Sequence, residues 1–465
     1  MLSGTGGDCG KTLVTLGVAA AFRRAGMKLS PFKKGPDYID SAWLSLACGN
    51  PARNLDTWMM GAQAALGSFI KNANPEGLNL IEGNRGLHDG EDESGASSSA
   101  ELAKLLRSPV VLVIPAVKVT RTAAAIALGL RMLDPQVQIS GVILNRVATS
   151  RQEAVITASM KHYAGLPVLG SIPRLGEDLL PSRHLGLVTP EEHRQSLQII
   201  DSAAGIAERY IDLPRLQSIA EDATPLEPGD GPAAAGTTAD RQVKIGFFQS
   251  SAFTFYYPEN LEAIDHAGAV RLAIDPAICS ELPDMDGLYI GGGFPETHAT
   301  QISSNATFLA SVKAAAQRGL PIWAECGGLM FLCRAVHWMG NRYPMAGIFP
   351  ADAVVDRKPA GHGYEEVIVD NENPFIGIGT KLRGHEFHYS RLETTESVNS
   401  VFHVSRGTGL GGGRDGLIFN RTIATYLHLH ALAAPEWISG FINAAGSYAR
   451  SRTCGRNSDR GESPV

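Results

Sequence analysis

Cys326 is the residue whose surroundings speak most directly of chemistry. Residues 320–330, LPIWAECGGLM, read as a strand, a sharp turn and a helix with cysteine at the turn. In such a nucleophile elbow, a helix N-terminus lowers the thiol pKa and small neighbours admit substrate. A buried core thiol is the ordinary state of cysteine, and it suffices for Cys48, Cys279 and Cys333. At Cys326 the following glycines and the preceding apolar run point the other way. The loop GGGFPE at 291–296 follows the apolar run GLYI and offers backbone amides for an oxyanion hole, with Gly292, Gly293 and Gly327 as donors. Residues 423–430, IATYLHLH, bring histidine to a strand end. A Cys–His pair generates thiolate and later protonates leaving ammonia. Strand alternation puts His428 and His430 on one face. His428, directly after the Tyr-Leu pair, is the favoured base. No acid follows in His-x-Glu form, so a dyad or a remote acid must orient the imidazole. The segment RGHEFHYS at 383–390 is not HExxH, because its second histidine comes one residue early, and zinc is rejected.

A second constellation lies near the N-terminus. GTGGDCGKT at 4–12 precedes an apolar helical run. Gly4, Thr5 and Gly10 let backbone N–H groups turn toward phosphate oxygens, at the positive end of the helix dipole. Lys11 would neutralise the β- and γ-phosphates and Thr12 would offer its hydroxyl to Mg²⁺. The spacing departs from GxxxxGK[ST], with the leading glycine one residue further away. PFKKGPDYID at 31–40 supplies Lys33, Asp37 and Asp40, and IEGNRGLHDG at 81–90 supplies Glu82 and Asp89. Carboxylates at strand ends beside a phosphate loop are the expected Mg²⁺ ligands. Only Met1, Leu2 and Ser3 precede Gly4, too few for the usual central strand. The expectation is a natural start several residues upstream, with an apolar, β-branched segment.

These residues need two α/β scaffolds. Apolar runs at 78–81, 110–114 and 142–144 read as buried parallel strands, with helical patterns at 100–106 and 123–133 between them. Beyond residue 243, strand signatures recur at 244–248, 287–290 and 322–324, with a helix at 308–318. EDATPLEPGDGPAAAGTTADRQ at 221–242 lacks apolar periodicity and reads as a tether. The expected division is 1–220, a linker at 221–242, 243–445, and a disordered polar tail at 446–465. At 465 residues, 44% hydrophobic and 19% charged, the chain can fill both cores. A formal net charge of −6 leaves no basic excess to offset phosphates, so nucleic acid is not an expected partner. Six scattered cysteines, without CxxC pairs, fit a reducing cytoplasm rather than a disulfide framework. No apolar run approaches the roughly 18 residues of a membrane-crossing helix, so no membrane association is expected.

Together GTGGDCGKT, PFKKGPDYID, ARNLDTWMMG, IEGNRGLHDG, SSAELAKLL, GVILNRV, IGGGFPE, ECGGLM, RGHEFHYS and ATYLHLH resemble the cobyrinic acid a,c-diamide synthase family, over residues 4–445. The resemblance implies a P-loop parallel-sheet ATPase domain of dethiobiotin-synthetase type, followed by a flavodoxin-like class I glutamine amidotransferase domain. It implies amidation of the a and c acetates of cobyrinate or hydrogenobyrinate through an acyl phosphate, using ATP, Mg²⁺ and L-glutamine. By motif position it carries over Thr12, Asp37 and Glu82 near Mg-ATP. It likewise carries over Tyr38, Asp40 and Asp89 near the carboxylates of the tetrapyrrole-type substrate, Cys326 as nucleophile and His428 as base. The reading leaves room for a homodimer. GGDCGKT, Asn84-Arg85 and the basic run 118–122 look closer to siblings that amidate sirohaem, and a third sibling amidates nickel-sirohydrochlorin. Cobyrinate stands first as the commonest substrate. A partitioning ATPase of the ParA kind would not need ECGGLM or a distal histidine, and a biotin-pathway ligase would not need the second domain.

Overall fold

The run Val110–Pro115 has no polar alternation, and its first five residues are buried. A strand covered on both faces by helices reads this way. In the computed structural model, which describes residues 1–176, 179–180, 182–183, 186–226 and 243–458, it is an interior strand of a parallel sheet. The chain divides into two compact units, Met1–Pro232 and Ala233–Val465. Residues 227–242 of the expected linker lie outside the described residues.

The first unit carries β1 (Leu2–Gly4), β2 (Leu29–Lys34), β3 (Arg53–Leu55) and β4 (Leu78–Gly86). It continues with β5 (Val110–Pro115), β6 (Ile139–Val147) and β7 (Val168–Pro173), and a two-residue pair, β8 (Ser182–Arg183) with β9 (Gly186–Leu187). The seven-stranded sheet runs β3-β2-β4-β1-β5-β6-β7, with every neighbour parallel. Both expected helices form, as Ser99–Leu105 and Thr122–Leu133. The central strand that the sequence leaves short is present as three buried residues between β4 and β5. The Met1 α-amino group donates to Pro109 O at 2.8 Å, and burial lowers its pKa to about 5. The helix Lys11–Arg24 crosses the helix Ser196–Tyr210 at Gly17, where an added Cβ would lie 2.5 Å from Ala203 O.

The second unit carries β10 (Lys244–Phe248), β11 (Val270–Ile274), β12 (Gly287–Ile290), β13 (Ile322–Glu325), β14 (Ala335–Trp338) and β15 (Asn341–Pro344). Then follow β16 (Asp352–Val355), β17 (Gly361–Val369), β18 (Lys381–His388) and β19 (Ser390–Glu393). The last three are β20 (Ser400–Arg406), β21 (Arg414–Phe419) and β22 (Thr422–Thr425). The large sheet runs β11-β10-β12-β13-β22-β21-β20-β17-β18. It is parallel as far as β22 and antiparallel beyond it. A small sheet, β15-β14-β16-β19, stands apart. One core cluster gathers Phe248, Phe308 and Phe331, and the other gathers Tyr289, Trp323 and Trp437. Alternation along β13 sends Ala324 and Cys326 to the first and Trp323 to the second.

The expected tail from 446 is corrected. The last helix runs Pro435–Ser458 without a break at 446. Ala445, Tyr448 and Ala449 extend the buried stripe of Trp437, Phe441 and Ile442 at helical spacing. Arg452 donates to Met285 O at 2.7 Å and pairs with Asp284. Its polar composition hid that stripe. Residues 459–465 lie outside the described residues.

The helix crossing generates a stability prediction. Gly17→Val should lower the thermal midpoint, because overpacking against backbone costs about 1–3 kcal/mol. Scanning calorimetry of both proteins checks it, and an unchanged midpoint would contradict the close approach.

Candidate active site

The second unit builds its site around a backbone reversal. Cys326 follows β13 with φ 47° and ψ −99°, a left-handed value that costs on the order of 1–3 kcal/mol for a non-glycine residue. The surrounding bonds hold it there: the Cys326 N–H donates to Thr425 O at 2.8 Å, and Cys326 O accepts from Met330 N–H at 3.0 Å. Gly327 and Gly328 open the helix Gly327–Leu332 because nothing larger fits. A Cβ on Gly327 would lie 2.9 Å from Gly293 O, and one on Gly328 2.6 Å from Ile290 O. A Cβ on Gly292 would lie 2.5 Å from the His428 imidazole. The cysteine turn, the glycine loop and His428 therefore converge at the ends of β12, β13 and β22, as their sequence signatures suggested. Gly292, Gly293 and Gly327 all sit at this junction.

His428 and His430 part company. Both lie beyond Thr425, the last residue of β22, so they stand past the end of the strand itself. The His428 Nδ1 is 3.4 Å from Glu325 Oε2, and its ring stacks on His385 at 4.8 Å and 20°. The His430 Nδ1 accepts from the Leu432 N–H at 3.2 Å, and its Nε2 lies 3.5 Å from Glu259 Oε2. The segment from Thr425 to Ala431 is pinned along its length. Asp415 accepts from the Thr425 hydroxyl at 2.5 Å and from the Tyr426 and Leu427 N–H groups. The His428 N–H donates to His385 O at 2.8 Å. Asn260 donates to Leu429 O at 2.8 Å and accepts from the Ala431 N–H at 2.7 Å. RGHEFHYS thus braces the histidine segment: His385 stacks on His428, and His388 stacks on Tyr426 at 3.6 Å. Sequence reasoning missed Glu325, Asp415, Asn260 and His385. Glu325 alone left a local signal, an acid next to the elbow cysteine.

The expected lowering of the thiol pKa is also corrected. Burial pushes the Cys326 thiol well above its ordinary value, and Glu296 adds to the rise. The thiol is 4% exposed, and the helix behind it has only six residues. Burial therefore favours the protonated thiol at Cys326 over the thiolate.

The first unit places GTGGDCGKT between β1 and the helix Lys11–Arg24, with Gly10 at φ 83° as its N-cap. A Cβ on Gly10 would lie 2.0 Å from the Asn145 amide, and that amide donates to Cys9 O at 2.9 Å. Thr12 Oγ1 donates to Glu82 Oε1 at 2.9 Å. Lys33 Nζ reaches Asp40 Oδ2 at 2.5 Å and the same Glu82 oxygen at 3.0 Å. Burial opposes the charge on Lys33, but Asp40, Glu82 and Asp37 overcome it and hold the ammonium. Burial, then Asp40, pushes Asp37 up to about 6, and burial also raises Glu82. Asp37 accepts from the Asp40 N–H and caps the helix Tyr38–Cys48. Asp89 accepts from the Gly86 N–H at 2.7 Å and closes the turn after β4, and Thr5 bridges to Gly86. Thr12, Lys33, Asp37, Asp40 and Glu82 thus form one cluster, with Tyr38 on the adjoining helix.

A raised thiol pKa predicts slow labelling. Alkylation of Cys326 by iodoacetamide, followed by peptide mass spectrometry, should keep rising past the ordinary cysteine value near about pH 8.5. A plateau below about pH 7 would indicate a preformed thiolate and contradict this geometry.

Comparison with known proteins finds the same two halves. Residues 1–187 match the CobQ/CobB/MinD/ParA nucleotide binding domain, and residues 244–436 match the CobB/CobQ-like glutamine amidotransferase domain. The cobyrinate a,c-diamide synthase of Magnetococcus marinus is 38% identical over 97% of this chain and 98% of its own. That of Dehalococcoides mccartyi is 37% identical over 97% and 98%. That of Archaeoglobus fulgidus is 36% identical over 96% and 97%. With the nucleotide-binding half and the cysteine elbow both in place along its length, the chain belongs to the cobyrinate a,c-diamide synthase family.

Proposed function

We propose that this chain uses ATP and glutamine to amidate the a and c acetate side chains of cobyrinate or hydrogenobyrinate. One observation carries the reading: a single chain holds both a phosphate loop beside a lysine-bridged carboxylate cluster and a cysteine elbow meeting a glycine loop and a histidine. A carboxylate is inert to ammonia until activated. The first unit meets that need and the second supplies the ammonia. The free cysteines among the described residues, Cys9, Cys48, Cys279, Cys326 and Cys333, fit work in a reducing cytoplasm.

In the first unit a substrate carboxylate oxygen takes the γ-phosphoryl group of ATP, giving an acyl phosphate and ADP. The amides of residues 4–10 cradle the phosphates, while Lys11 and Lys33 stabilise charge on the group in transfer. The residues fit a magnesium ion. The Glu82 Oε2 is buried without a protein partner among the described residues, and the raised Asp37 and Glu82 mark a surplus of acid. Thr12, Asp37 and Glu82 would hold the ion, which would neutralise phosphate charge. Tyr38, Asp40 and Asp89 would contact the substrate carboxylates.

In the second unit Cys326 Sγ attacks the glutamine amide carbon, and His428 takes the thiol proton and hands it to the leaving ammonia. Gly292, Gly293 and Gly327 supply amides to the oxyanion. Water then clears the glutamyl thioester. Ammonia attacks the acyl phosphate, forming the amide and releasing phosphate.

Cys326→Ala should lose glutamine-dependent amidation roughly 1,000-fold or more and keep activity with ammonium salt. Equal loss of both activities in a folded variant would overturn the division of labour. Replacing His428 with asparagine should cost glutaminase turnover about 10²–10⁴-fold, and the same change at His430 much less. Steady-state glutaminase assays of both variants check it, and a larger loss at His430 would reverse the assignment.

A further inference from the structure

We propose that Glu325, the residue directly before the nucleophile, is the acid that positions His428. This completes a Cys326–His428–Glu325 triad in place of the absent His-x-Glu form. The inference rests on the glutaminase reading above and deepens it.

Glu325 is the last residue of β13, fully buried, in the face that holds Trp323, Tyr289 and Trp437. A carboxylate is expensive to bury unless its oxygens are engaged. Both are. Oε1 accepts from the Trp323 Nε1–H at 2.9 Å, and Oε2 lies 3.4 Å from His428 Nδ1. The indole is itself fixed against Trp437, with ring centroids 5.3 Å apart. The sheet register makes the reach possible, because Glu325 pairs with Thr425, and His428 follows three residues past the end of that strand. The contact is long for a hydrogen bond, and catalytic contacts commonly tighten only when substrate binds.

The chemistry follows from donors and acceptors. An accepting carboxylate at Nδ1 selects the tautomer with its proton there, so Nε2 presents the lone pair that takes the Cys326 proton. Glu325 also stabilises the imidazolium formed in that step. His430 has an acid neighbour too, Glu259, but the opposite tautomer. Its Nδ1 accepts from the Leu432 N–H, so the proton sits on Nε2 and no lone pair remains for a thiol proton. The two histidines are separated by their hydrogen-bond partners rather than by their position along the strand. His385, stacked on His428, adds to the confinement of the ring.

The test uses the full chain and Glu325→Gln, which keeps the volume and an oxygen for Trp323. Glutaminase kcat should fall roughly 100-fold or more while KM for glutamine stays near wild type, and ammonium-supported amidation should be unchanged. A kcat within about twofold of wild type, or equal loss of both activities, would overturn the proposal. A measurement on the unsubstituted chain stands beside it. ¹⁵N NMR of histidine-labelled protein, with the resonance assigned through His428→Gln, should show the proton on Nδ1. A proton on Nε2 would overturn the proposal even if the variant fails to fold. A wild-type chain without glutaminase activity would remove the function reading, and the tautomer would still decide the role of Glu325.

Discussion

A non-glycine residue held in the left-handed region at the end of a central parallel strand governs the second unit. Cys326 adopts φ 47°, and that turn throws the thiol to one face of the sheet while the residue before it points to the other. Everything adjacent must then be small or fixed. Gly327, Gly328, Gly292 and Gly293 yield their side-chain volume so that three strand ends can meet. Asp415, Asn260 and the backbone of His385 pin the chain from Thr425 to Ala431. The strain at one residue is held by many ordinary hydrogen bonds around it, as a packed active site requires. Burial follows from the same crowding, and it favours the protonated form of the Cys326 thiol.

The first unit solves a different problem, the close assembly of several acids. Asp37, Asp40 and Glu82 converge beside the end of β2, with Glu82 midway along β4, and three carboxyl groups so close repel one another. Lys33 offsets that repulsion from within, bridging Asp40 and Glu82 with almost no exposure. Thr12 adds a hydroxyl from the phosphate loop, tying the loop to the acid cluster in the resting protein. Two segments distant in sequence are thereby pre-positioned, which lowers the cost of organising them around a nucleotide.

What the sequence makes legible here is whatever steric demand writes locally. Glycines around Cys326 and before Lys11, and unbroken apolar runs such as Val110–Pro115, announce turns and buried strands without help from the rest of the chain. Choices that depend on distant partners were not legible. The separation of His428 from His430 rests on Glu325, 103 residues away, and on Glu259, which no periodicity connects to them. The sign of the thiol shift depends on how deeply the elbow is covered, which a helix-terminus argument does not see. The antiparallel half of the large sheet, β21 to β18, escaped because its strands are joined by glycine-rich turns and carry mixed polarity. The final helix escaped because its buried stripe is sparse within a polar run.

The central claim is that one chain joins acyl activation by ATP to nitrogen released from glutamine at Cys326. The most direct test supplies cobyrinate ¹⁸O-labelled in its carboxylates together with ATP and [amide-¹⁵N]glutamine. Mass spectrometry then follows product and phosphate. The account predicts ¹⁵N in the new amides and one ¹⁸O transferred to inorganic phosphate for each amide formed. Amides that carry ¹⁵N while the phosphate stays unlabelled would contradict it, because the carboxylate would then have reacted without passing through an acyl phosphate.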